Sequence, residues 1–515
     1  MNQLTNHNHK IDFLTSNDTS SFQPTQTIVK SKYKKEKCNE CNKRRSRLDE
    51  THQICHVCYK MKTLFKPSGN KIIDDFIRFT QVNLVRKEGK LEFVPYEQFK
   101  NIEFIAEGGF SKIYKATWVD GPINWDNVER KSDNISRKPN YTVVLKKIND
   151  SKNITSKELN ELKVYYDFYT NWNSQHNNYQ VKRRSNKISY QEIPLNSYIC
   201  NYFGITQDVN TQDFMIIMQY YELGNLIHYL SNDFYNIKWS NKLHDLTCIA
   251  NGLINIHSVN IIHRDLHSGN IFFTSNPSYN VVIGDLGLSK SATESTDDNN
   301  VKYGIITYMA PEIFQGQKYT KASDIYSFGM IMWEFMTGRR PFWDEHHDTN
   351  LITKIRDGLR PPIVTNAPEG YIELMKECWN SDPCKRPTAN DIYKRICILV
   401  RNEEQNSKNQ NPTKIIESSD IGPVPKYNPG AIYKSRPLSG MINSAMSLRS
   451  SRSQSINLEK VKRKFEDNND DGQSIKRKKL YENENNDYFT KFIELDIDMK
   501  LSTDEYITQE YDFDI

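Results

Sequence analysis

The stretch HRDLHSGNIFF, residues 263–273, constrains more than any other what this chain can fold into. Asp265 stands five positions before Asn270, after a helical pattern and before an apolar run. A carboxylate can accept a proton from a hydroxyl group, and an amide oxygen can bind a hard cation such as Mg²⁺. A buried-strand pattern, VVIGDLGLS (281–289), then places Asp285 beside a glycine turn, where it is well positioned to hold magnesium. These residues predict a metal-assisted reaction at a hydroxyl group.

Two upstream stretches suit a nucleotide. In IAEGGFSKIYKATWV (105–119), Gly108 and Gly109 lie between two alternating runs. The pattern predicts a hairpin whose turn lets backbone amides approach phosphate oxygens, with an ordinary hairpin as the alternative. In VVLKK, Lys146 leaves a buried strand and needs an anion. That anion is Glu161 on the next helical pattern or a nucleotide phosphate, unless both residues are ordinary surface charges.

The composition limits the class of protein. The chain has 515 residues, of which 37% are hydrophobic, so at least one sizeable core is expected. A net charge of +5 is too small for this length to favour nucleic acid as a main partner. The first residues lack the apolar stretch of a secretory signal, and no apolar run is long enough for a membrane span. We therefore expect a cytoplasmic or nuclear protein without a membrane partner.

The order of predicted elements indicates the fold class. Short apolar runs at 141–147 and 214–220 predict strands, and helical patterns at 242–258 and 322–338 follow them. Strands first and helices later favour an α+β fold with a β-rich front and a helical back. The predicted organisation is a disordered segment at 1–31, a cysteine-bearing segment at 32–66, a linking helix within 67–95, a main domain at 96–402 and a disordered tail at 403–515.

In chain order, these motifs resemble those of the eukaryotic protein kinases over residues 96–402. IAEGGFSKIY is similar to the glycine-rich loop, VVLK to the strand with the nucleotide-binding lysine, and HRDLHSGN to the catalytic loop. DLG resembles the metal-binding motif, APE the end of the activation segment, and CWNSDPCKRP the closing motif of the tyrosine-kinase-like group. The resemblance implies a bilobal protein kinase fold. It also implies an enzyme that transfers the γ-phosphate of ATP to Ser or Thr hydroxyls of protein substrates in intracellular signalling.

The resemblance further implies a role for each matching residue. Lys146 would hold the α- and β-phosphates, with Glu161 orienting it, and Asp265 would take or orient the proton of the substrate hydroxyl. Asn270 and Asp285 would hold two Mg²⁺ ions. The other nucleotide contacts would come from the glycine-rich loop and from the strand and hinge behind the adenine: Ile105, Gly108, Gly109, Ile113, Met218, Gln219 and Tyr221.

The resemblance implies roles for Asp324 and Arg264 as well, and the residues themselves suggest one further pair. Asp324 resembles the aspartate that braces the catalytic loop, and Glu312 and Arg386 are a candidate pair that anchors a loop. Arg264 resembles the arginine that reads a phosphate on the activation segment. The candidate phosphorylation sites are Ser289, Ser291, Thr293, Ser295 and Thr296.

Five positions depart from the kinase pattern. Ala106 and Ser111 replace two of the three loop glycines, and Leu286 stands where DFG has phenylalanine. His267 occupies the place of a lysine near the γ-phosphate, and Ile305 that of a threonine. A pseudokinase or ATP-binding scaffold is therefore the alternative, and Ser/Thr against Tyr specificity stays open. A histidine would substitute for the lysine with a pH dependence of its own.

A cluster of cysteines precedes the main domain. Cys38, Cys41, Cys55 and Cys58 form two CxxC knuckles separated by 13 residues. Four thiolates from two knuckles can close a tetrahedral structural Zn²⁺ site of the zinc-ribbon type, with incidental reduced cysteines as the alternative.

The tail carries two basic clusters, at 462–464 and 476–479. Their spacing resembles a two-part nuclear import signal, and a charged solvating tail is the alternative.

Overall fold

The computed structural model describes residues 36–45, 53–83, 89–108, 111–125, 136–155, 158–170, 198–275, 281–292 and 301–447. In the N-terminal unit, which ends at Tyr59, β1 (Glu36–Lys37) pairs antiparallel with β2 (Arg44–Arg45). Helix α1 (His56–Leu64) begins in this unit and ends after it. The predicted disordered segment 1–31 and the predicted import signal lie outside the described residues.

A six-stranded sheet forms the front of the main domain. Its strands are β3 (Glu92–Phe93), β4 (Phe99–Glu107), β5 (Ser111–Trp118), β6 (Tyr141–Ile148), β7 (Tyr202–Gln207) and β8 (Phe214–Gln219), in the order β3-β7-β8-β6-β5-β4. The strands predicted at 141–147 and 214–220 are thus confirmed. Because side chains alternate along a strand, β6 places Val143 and Leu145 in an apolar cluster with Trp118 and turns Lys146 to the opposite face.

The segment 67–95, predicted to be a linking helix, is part of this front. Helix α2 (Lys71–Asn83) forms where helical spacing predicted it, and Ile73 and Ile77 are buried in the main core. The Gln81 side chain donates to the carbonyl of Leu91 at 2.8 Å, and β3 then pairs parallel with β7. The apolar stripe of α2 is buried against the domain rather than left to span a gap.

The back of the domain is helical, so the predicted α+β arrangement is confirmed. A helix over residues 160–170, α3, follows β6. The larger helices after the sheet are α4 (Leu226–Asp233), α5 (Trp239–Ser258), α6 (Lys321–Thr337), α7 (Thr349–Arg356), α8 (Tyr371–Cys378) and α9 (Ala389–Lys408). None of the helices in the described ranges is long and apolar enough to cross a membrane.

Two small ladders hold the HRDLHSGN loop. Strand β9 (Ile261–Ile262) precedes the loop and pairs with β12 (Lys290–Ser291). Strand β10 (Ile271–Phe273) follows the loop and pairs with β11 (Val281–Ile283). The loop is therefore fixed at both ends.

The predicted disordered tail beginning at 403 is wrong for its described part. Helix α9 runs on to Lys408, and residues 421–445 pack on the helical back of the domain. Strand β14 (Arg436–Pro437) pairs antiparallel with β13 (Tyr303–Gly304), and a helix over 439–447, α10, follows. The buried residues of this segment are Ile421, Ala431, Tyr433, Leu438, Ile442 and Ala445. They are spread thinly along a polar sequence, which is why the composition resembles disorder.

A lysine is buried in the helical core. Lys242 of α5 is 0% exposed, and its Nζ lies 3.8 Å from the ring centre of Phe234. Within the described part of the chain, Nζ has no hydrogen-bond partner. Burial lowers the pKa of Lys242 to about 7, because the charged form loses its hydration.

Lys242→Met is expected to stabilise the domain at neutral and acidic pH by roughly 2 kcal/mol, since the contact with Phe234 offsets part of the cost of burying the charge. The folded pKa lies below that of the unfolded chain, so stability rises with pH from about 7 towards 10.5. The stability that Lys242→Met adds should therefore shrink as the pH rises from about 7 towards 10.5. Urea unfolding at pH 6, 8 and 9.5 tests this, with the exposed Lys238→Met as control; equal gains at all three pH values would contradict it.

Candidate active site

Lys146 lies at the centre of a buried cluster of charges. Its Nζ lies 2.9 Å from Glu161 Oε2 of α3 and 2.8 Å from Asp285 Oδ1, just after β11. The hydroxyl of Tyr202 donates to the other oxygen of Glu161 at 2.8 Å. A Cβ atom at Gly287 would lie 3.0 Å from Asp285 Oδ1 and 3.4 Å from Glu161 Oε2, so this glycine leaves room for the cluster. The structure thus forms the Lys146–Glu161 pair and adds Asp285 to it.

Burial and charge shift the titration of this cluster. Burial raises the pKa of Glu161, and the charge of Lys146 only partly opposes this. Burial also tends to raise the pKa of Asp285, but the charge and hydrogen bond of Lys146 outweigh it, and the pKa is lowered. Burial would lower the pKa of Lys146, but the two carboxylates reverse the effect and raise it. At neutral pH Lys146 is therefore charged, and Asp285 presents an anionic oxygen.

Asp324 of α6 braces the loop that carries Asp265. Its carboxylate accepts the backbone N–H groups of His263 and Arg264, each at 2.9 Å, and His257 Nε2 lies 2.8 Å from Oδ2. Arg264 has a φ of +72°, which is uncommon for a residue with a side chain. The two N–H bonds to one buried carboxylate stabilise this conformation and set the direction in which the chain enters Asp265.

Asp265, Asn270 and Asp285 meet at one end of the β10–β11 ladder. Ile271 pairs with Ile283, so Asn270 and Asp285 lie at the same end of two antiparallel strands. The Asn270 amide group donates through Nδ2 to the carbonyl of Asp265 at 3.0 Å, which leaves Oδ1 as an acceptor. An amide oxygen and a carboxylate oxygen are the ligands that Mg²⁺ prefers. This donor set therefore fits magnesium.

His267 lies beside Asp265. Its Nδ1 accepts the N–H of Gly269 at 3.0 Å, so the neutral ring carries its proton on Nε2. That Nε2 lies 3.8 Å from Asp265 Oδ2, too far for a hydrogen bond but close enough for charge attraction. The structure thus places an N–H group next to Asp265, at the position where the sequence lacks the lysine.

The residues predicted to contact a nucleotide surround the hairpin and the end of β8. Ile105 and Ile113 lie on β4 and β5, and Met218 and Gln219 end β8. The N–H of Gly108 donates to the carbonyl of Ser111 at 2.7 Å and closes the turn. Gly109 lies outside the described residues.

The side chain of Tyr221, one of the predicted hinge residues, faces the core. It is buried, its ring stacks on Phe272 with 5.7 Å between centroids, and its hydroxyl accepts the N–H of Asn201 at 3.2 Å. The side chain therefore serves the core, and only the main chain of Tyr221 remains available to a nucleotide.

The candidate phosphorylation sites fall into two kinds. Ser289 is buried, and its hydroxyl donates to the carbonyl of His263 at 3.1 Å, which makes it a structural contact. Ser291 is exposed on β12. The guanidinium of Arg264 lies 4.6 Å from the ring centre of Tyr319. The other candidates lie outside the described residues: Thr293, Ser295 and Thr296.

The closeness of Gly304 to the site was not evident from the sequence. Gly304 has a φ of +150°, and a Cβ there would lie 3.0 Å from Met309 Sδ and 3.8 Å from Asp265 Oδ1. Ile305, the residue in place of a threonine, is 2% exposed and packs in the core. In the sequence, the only sign of this position was the glycine that begins GIITYMAPE. Its closeness to Asp265 depends on a fold that brings distant segments together.

Glu312 and Arg386 form the pair that the sequence suggested. Both Arg386 terminal nitrogens donate to the Glu312 carboxylate at 2.7 Å, and the two side chains are almost fully buried. Arg386 also donates to the carbonyls of Asn380 and Ala322, each at 2.8 Å. This network ties the end of the activation segment to the helices behind it.

In the N-terminal unit, the four predicted cysteines converge. Cys38, Cys41, Cys55 and Cys58 are all buried, and their Sγ atoms lie within 4.8 Å of one another. Tetrahedral Zn²⁺ with Zn–S bonds near 2.3 Å requires sulfur atoms about 3.8 Å apart. The Sγ atoms of Cys41 and Cys55 are 3.9 Å apart, which fits that requirement.

Comparison with known proteins agrees with this site. Residues 174–396 match the family model for protein tyrosine and serine/threonine kinases. The chain is 36% identical over 197 residues to the probable serine/threonine-protein kinase roco5 of Dictyostelium discoideum, which covers 36% of this chain and 7% of that protein. It is 32% identical over 186 residues to drkA of the same organism, another probable serine/threonine-protein kinase, covering 36% and 28%.

The matches therefore span less than a third of the length of these two relatives. They fall on the region that holds the catalytic loop and the helical lobe. The sheet in front, the helices behind and the family match agree, and this chain contains a protein kinase domain with serine/threonine kinase relatives.

Proposed function

We propose that this chain is an active ATP- and Mg²⁺-dependent protein kinase of the tyrosine-kinase-like group that phosphorylates Ser and Thr in protein substrates during intracellular signalling. The observation that carries the proposal is the assembled set of charges. Lys146 contacts both Glu161 and Asp285, at the end of the ladder that also holds Asp265 and Asn270. A protein that only held a nucleotide would have no use for Asp265 at this position.

Bound Mg²⁺-ATP supplies the phosphoryl group and the positive charge that offsets the charge developing on it. Lys146, held by Glu161, would donate to phosphate oxygens, and Asn270 and Asp285 would hold the cation through their side-chain oxygens. Asp265 would accept a hydrogen bond from the substrate hydroxyl and take its proton as the new O–P bond forms, while the bond between the γ-phosphorus and the bridging oxygen breaks and ADP leaves. The protein contributes positioning and charge rather than a covalent intermediate.

The preference for Ser and Thr is supported by the names of the relatives. The Nε2–H of His267, 3.8 Å from Asp265 Oδ2, can donate to an anionic oxygen held near the base, which supports catalysis with any hydroxyl substrate.

The test is γ-phosphate transfer to a panel of Ser, Thr and Tyr peptides by wild type and Asp265→Asn. We expect transfer to Ser or Thr peptides by wild type and a loss of roughly 10²-fold or more in the variant. Equal background rates in both proteins would instead favour the pseudokinase or scaffold. Transfer to Tyr peptides alone would reject the Ser/Thr assignment.

We also propose that the four cysteines hold one structural Zn²⁺. Four buried thiol sulfurs at a spacing that suits zinc support it, and a closed set of four protein ligands leaves no position for catalysis.

The basic clusters at 462–464 and 476–479 support nuclear import, so both cytoplasm and nucleus are proposed locations.

Cys38→Ser is expected to remove the metal, because three thiolates bind Zn²⁺ much more weakly than four. Purified wild type should contain close to one Zn²⁺ per chain by elemental analysis, and the variant much less. The matched control is Cys384→Ser, since Cys384 is exposed and lies outside the cluster. Equal zinc in all three proteins, or none in wild type, would rule out the site.

A further inference from the structure

The segment 421–445, here named the C-terminal strap, first contacts the domain at the end of α6. The N–H of Gly422 donates to the carbonyl of Thr337 at 2.7 Å, and the hydroxyl of Tyr235 donates to the carbonyl of Ile421 at 2.9 Å. The Ile421 side chain is 2% exposed. This end of the strap is held by both backbone bonds and apolar packing.

The middle of the strap lies on the loop that follows α6. The N–H of His347 donates to the carbonyl of Gly430 at 2.8 Å, and the hydroxyl of Tyr433 donates to the carbonyl of Pro341 at 2.8 Å. The guanidinium of Arg340 lies 3.7 Å from the ring centre of Tyr433. Tyr433 is therefore buried with its only polar atom satisfied, as expected of an anchoring side chain.

The last part of the strap adds a strand to the activation segment. β14 pairs with β13 so that Pro437 faces Tyr303 and Arg436 faces Gly304. The N–H of Leu438 then donates to the carbonyl of Lys302 at 2.7 Å, and Leu438 is 0% exposed. Two consecutive backbone positions and a buried leucine thus fix the register.

The edge of β13 that the strap covers is the part of the activation segment next to Asp265, the proposed base. A Cβ on Gly304 would lie 3.8 Å from Asp265 Oδ1, so the backbone paired with Arg436 is next to the catalytic carboxylate. A protein substrate must bring a hydroxyl to Asp265, and an extended peptide gains most of its affinity by pairing with a free strand edge. With the strap docked, the β13 edge is occupied.

The strap offers nothing to phosphorylate at the paired positions. Arg436 and Pro437 carry no hydroxyl. The hydroxyl of Ser439 accepts the N–H of Lys302 at 2.7 Å, and Lys302 lies on the side of Tyr303 away from Gly304, the residue next to the base. We propose that the C-terminal strap is an inhibitor in cis, which occupies the peptide-binding edge of the activation segment and competes with protein substrates. The proposal rests on the proposed kinase activity.

The test is to detach the strap in the full chain with Leu438→Asp, and independently with Ile442→Asp, since both side chains are buried. Ile416→Asp, on a residue of the same tail that is 63% exposed, is the matched control. Hydrogen exchange of the peptides that cover 421–445 reports detachment without any need for activity. Steady-state phosphorylation of a Ser/Thr peptide reports competition.

Both release variants should exchange their backbone amide hydrogens faster over 421–445 than wild type does. Their kcat/KM for the peptide should be on the order of tenfold higher than that of wild type, the gain expected if the wild-type strap is docked about nine-tenths of the time. The gain should appear as a lower KM for peptide with the KM for ATP unchanged, and the control should match wild type. Faster exchange with an unchanged or lower rate would overturn the proposal and leave the strap as a structural brace. Rates in every variant equal to those of Asp265→Asn would overturn the proposed function, and inhibition with it.

Discussion

Lys146→Met is expected to lower γ-phosphate transfer by roughly 10²- to 10³-fold, the range for removing one preorganised donor from a charge-stabilising site. The substitution removes the partner of Glu161 Oε2 and of Asp285 Oδ1 at once. Burial already raises the pKa of Glu161, and losing the opposing charge of the lysine should raise it further. The loss should fall mainly on kcat, and peptide phosphorylation with saturating ATP measures it.

The neighbouring lysine provides a matched control. Lys147 has the same chemistry on the same strand but points to the other face, where its Nζ lies 3.0 Å from Asp208 Oδ2 and 3.5 Å from Asp213 Oδ2. Lys147→Met should leave the rate per folded molecule within about threefold of wild type, since its ion pairs lie on the face of β6 away from Glu161 and Asp285. If Lys146→Met retained a third of the wild-type rate, or if both variants lost activity equally, the role assigned to Lys146 would be wrong.

The fold class was predictable because the spacing of apolar residues along each segment reflects which side chains are buried. Alternation in YTVVLKK corresponds to the two faces of β6, and the apolar spacing at 70–84 corresponds to the buried stripe of α2. The Glu312–Arg386 pair was also predictable as a possibility, because two charges near buried runs need partners. Which of several partners each charge takes was decided by tertiary structure, as the contact of Lys146 with Asp285 shows.

The C-terminal strap was not predictable in the same way. From Ile421 to Tyr433 its buried residues do not recur at the period of a helix, and the helical spacing of Leu438, Ile442 and Ala445 is too short to stand out in a polar sequence. Such a segment has no core of its own, so composition assigns it to disorder until its docking surface is known. The burial of the Tyr221 side chain was not predictable for a related reason. Its position in the hinge follows from the motif, but its burial against Phe272 follows from packing.

His267 is the departure whose meaning the structure changes most. The sequence presents it as a lysine replaced by a residue of uncertain charge. In the structure Gly269 fixes the neutral tautomer, so Nε2 carries a proton whether or not the ring is charged. The neutral ring therefore already directs a donor towards the side of Asp265.

Glu312→Gln is expected to destabilise the kinase domain by roughly 3–5 kcal/mol, the cost of leaving one member of a buried ion pair without its partner. The Arg386 side chain is 0% exposed, and both of its bonds to Glu312 are 2.7 Å long. The neutral amide preserves the shape but removes the charge and one acceptor. The midpoint of urea unfolding, followed by circular dichroism, measures the change.

Two further sets of variants separate the cost of an unpaired buried charge from the cost of losing any ion pair. Glu377→Gln breaks the exposed pair with Arg395, in which the side chains are 47% and 37% exposed, and should cost less than about 1 kcal/mol. Replacing both buried partners, with Glu312→Leu and Arg386→Met, should recover part of the loss, because no uncompensated charge remains. Recovery would be incomplete, since the carbonyls of Asn380 and Ala322 also lose their donor. A double variant less stable than Glu312→Gln would show instead that the arginine's bonds to these carbonyls, rather than its charge balance, hold the end of the activation segment in place.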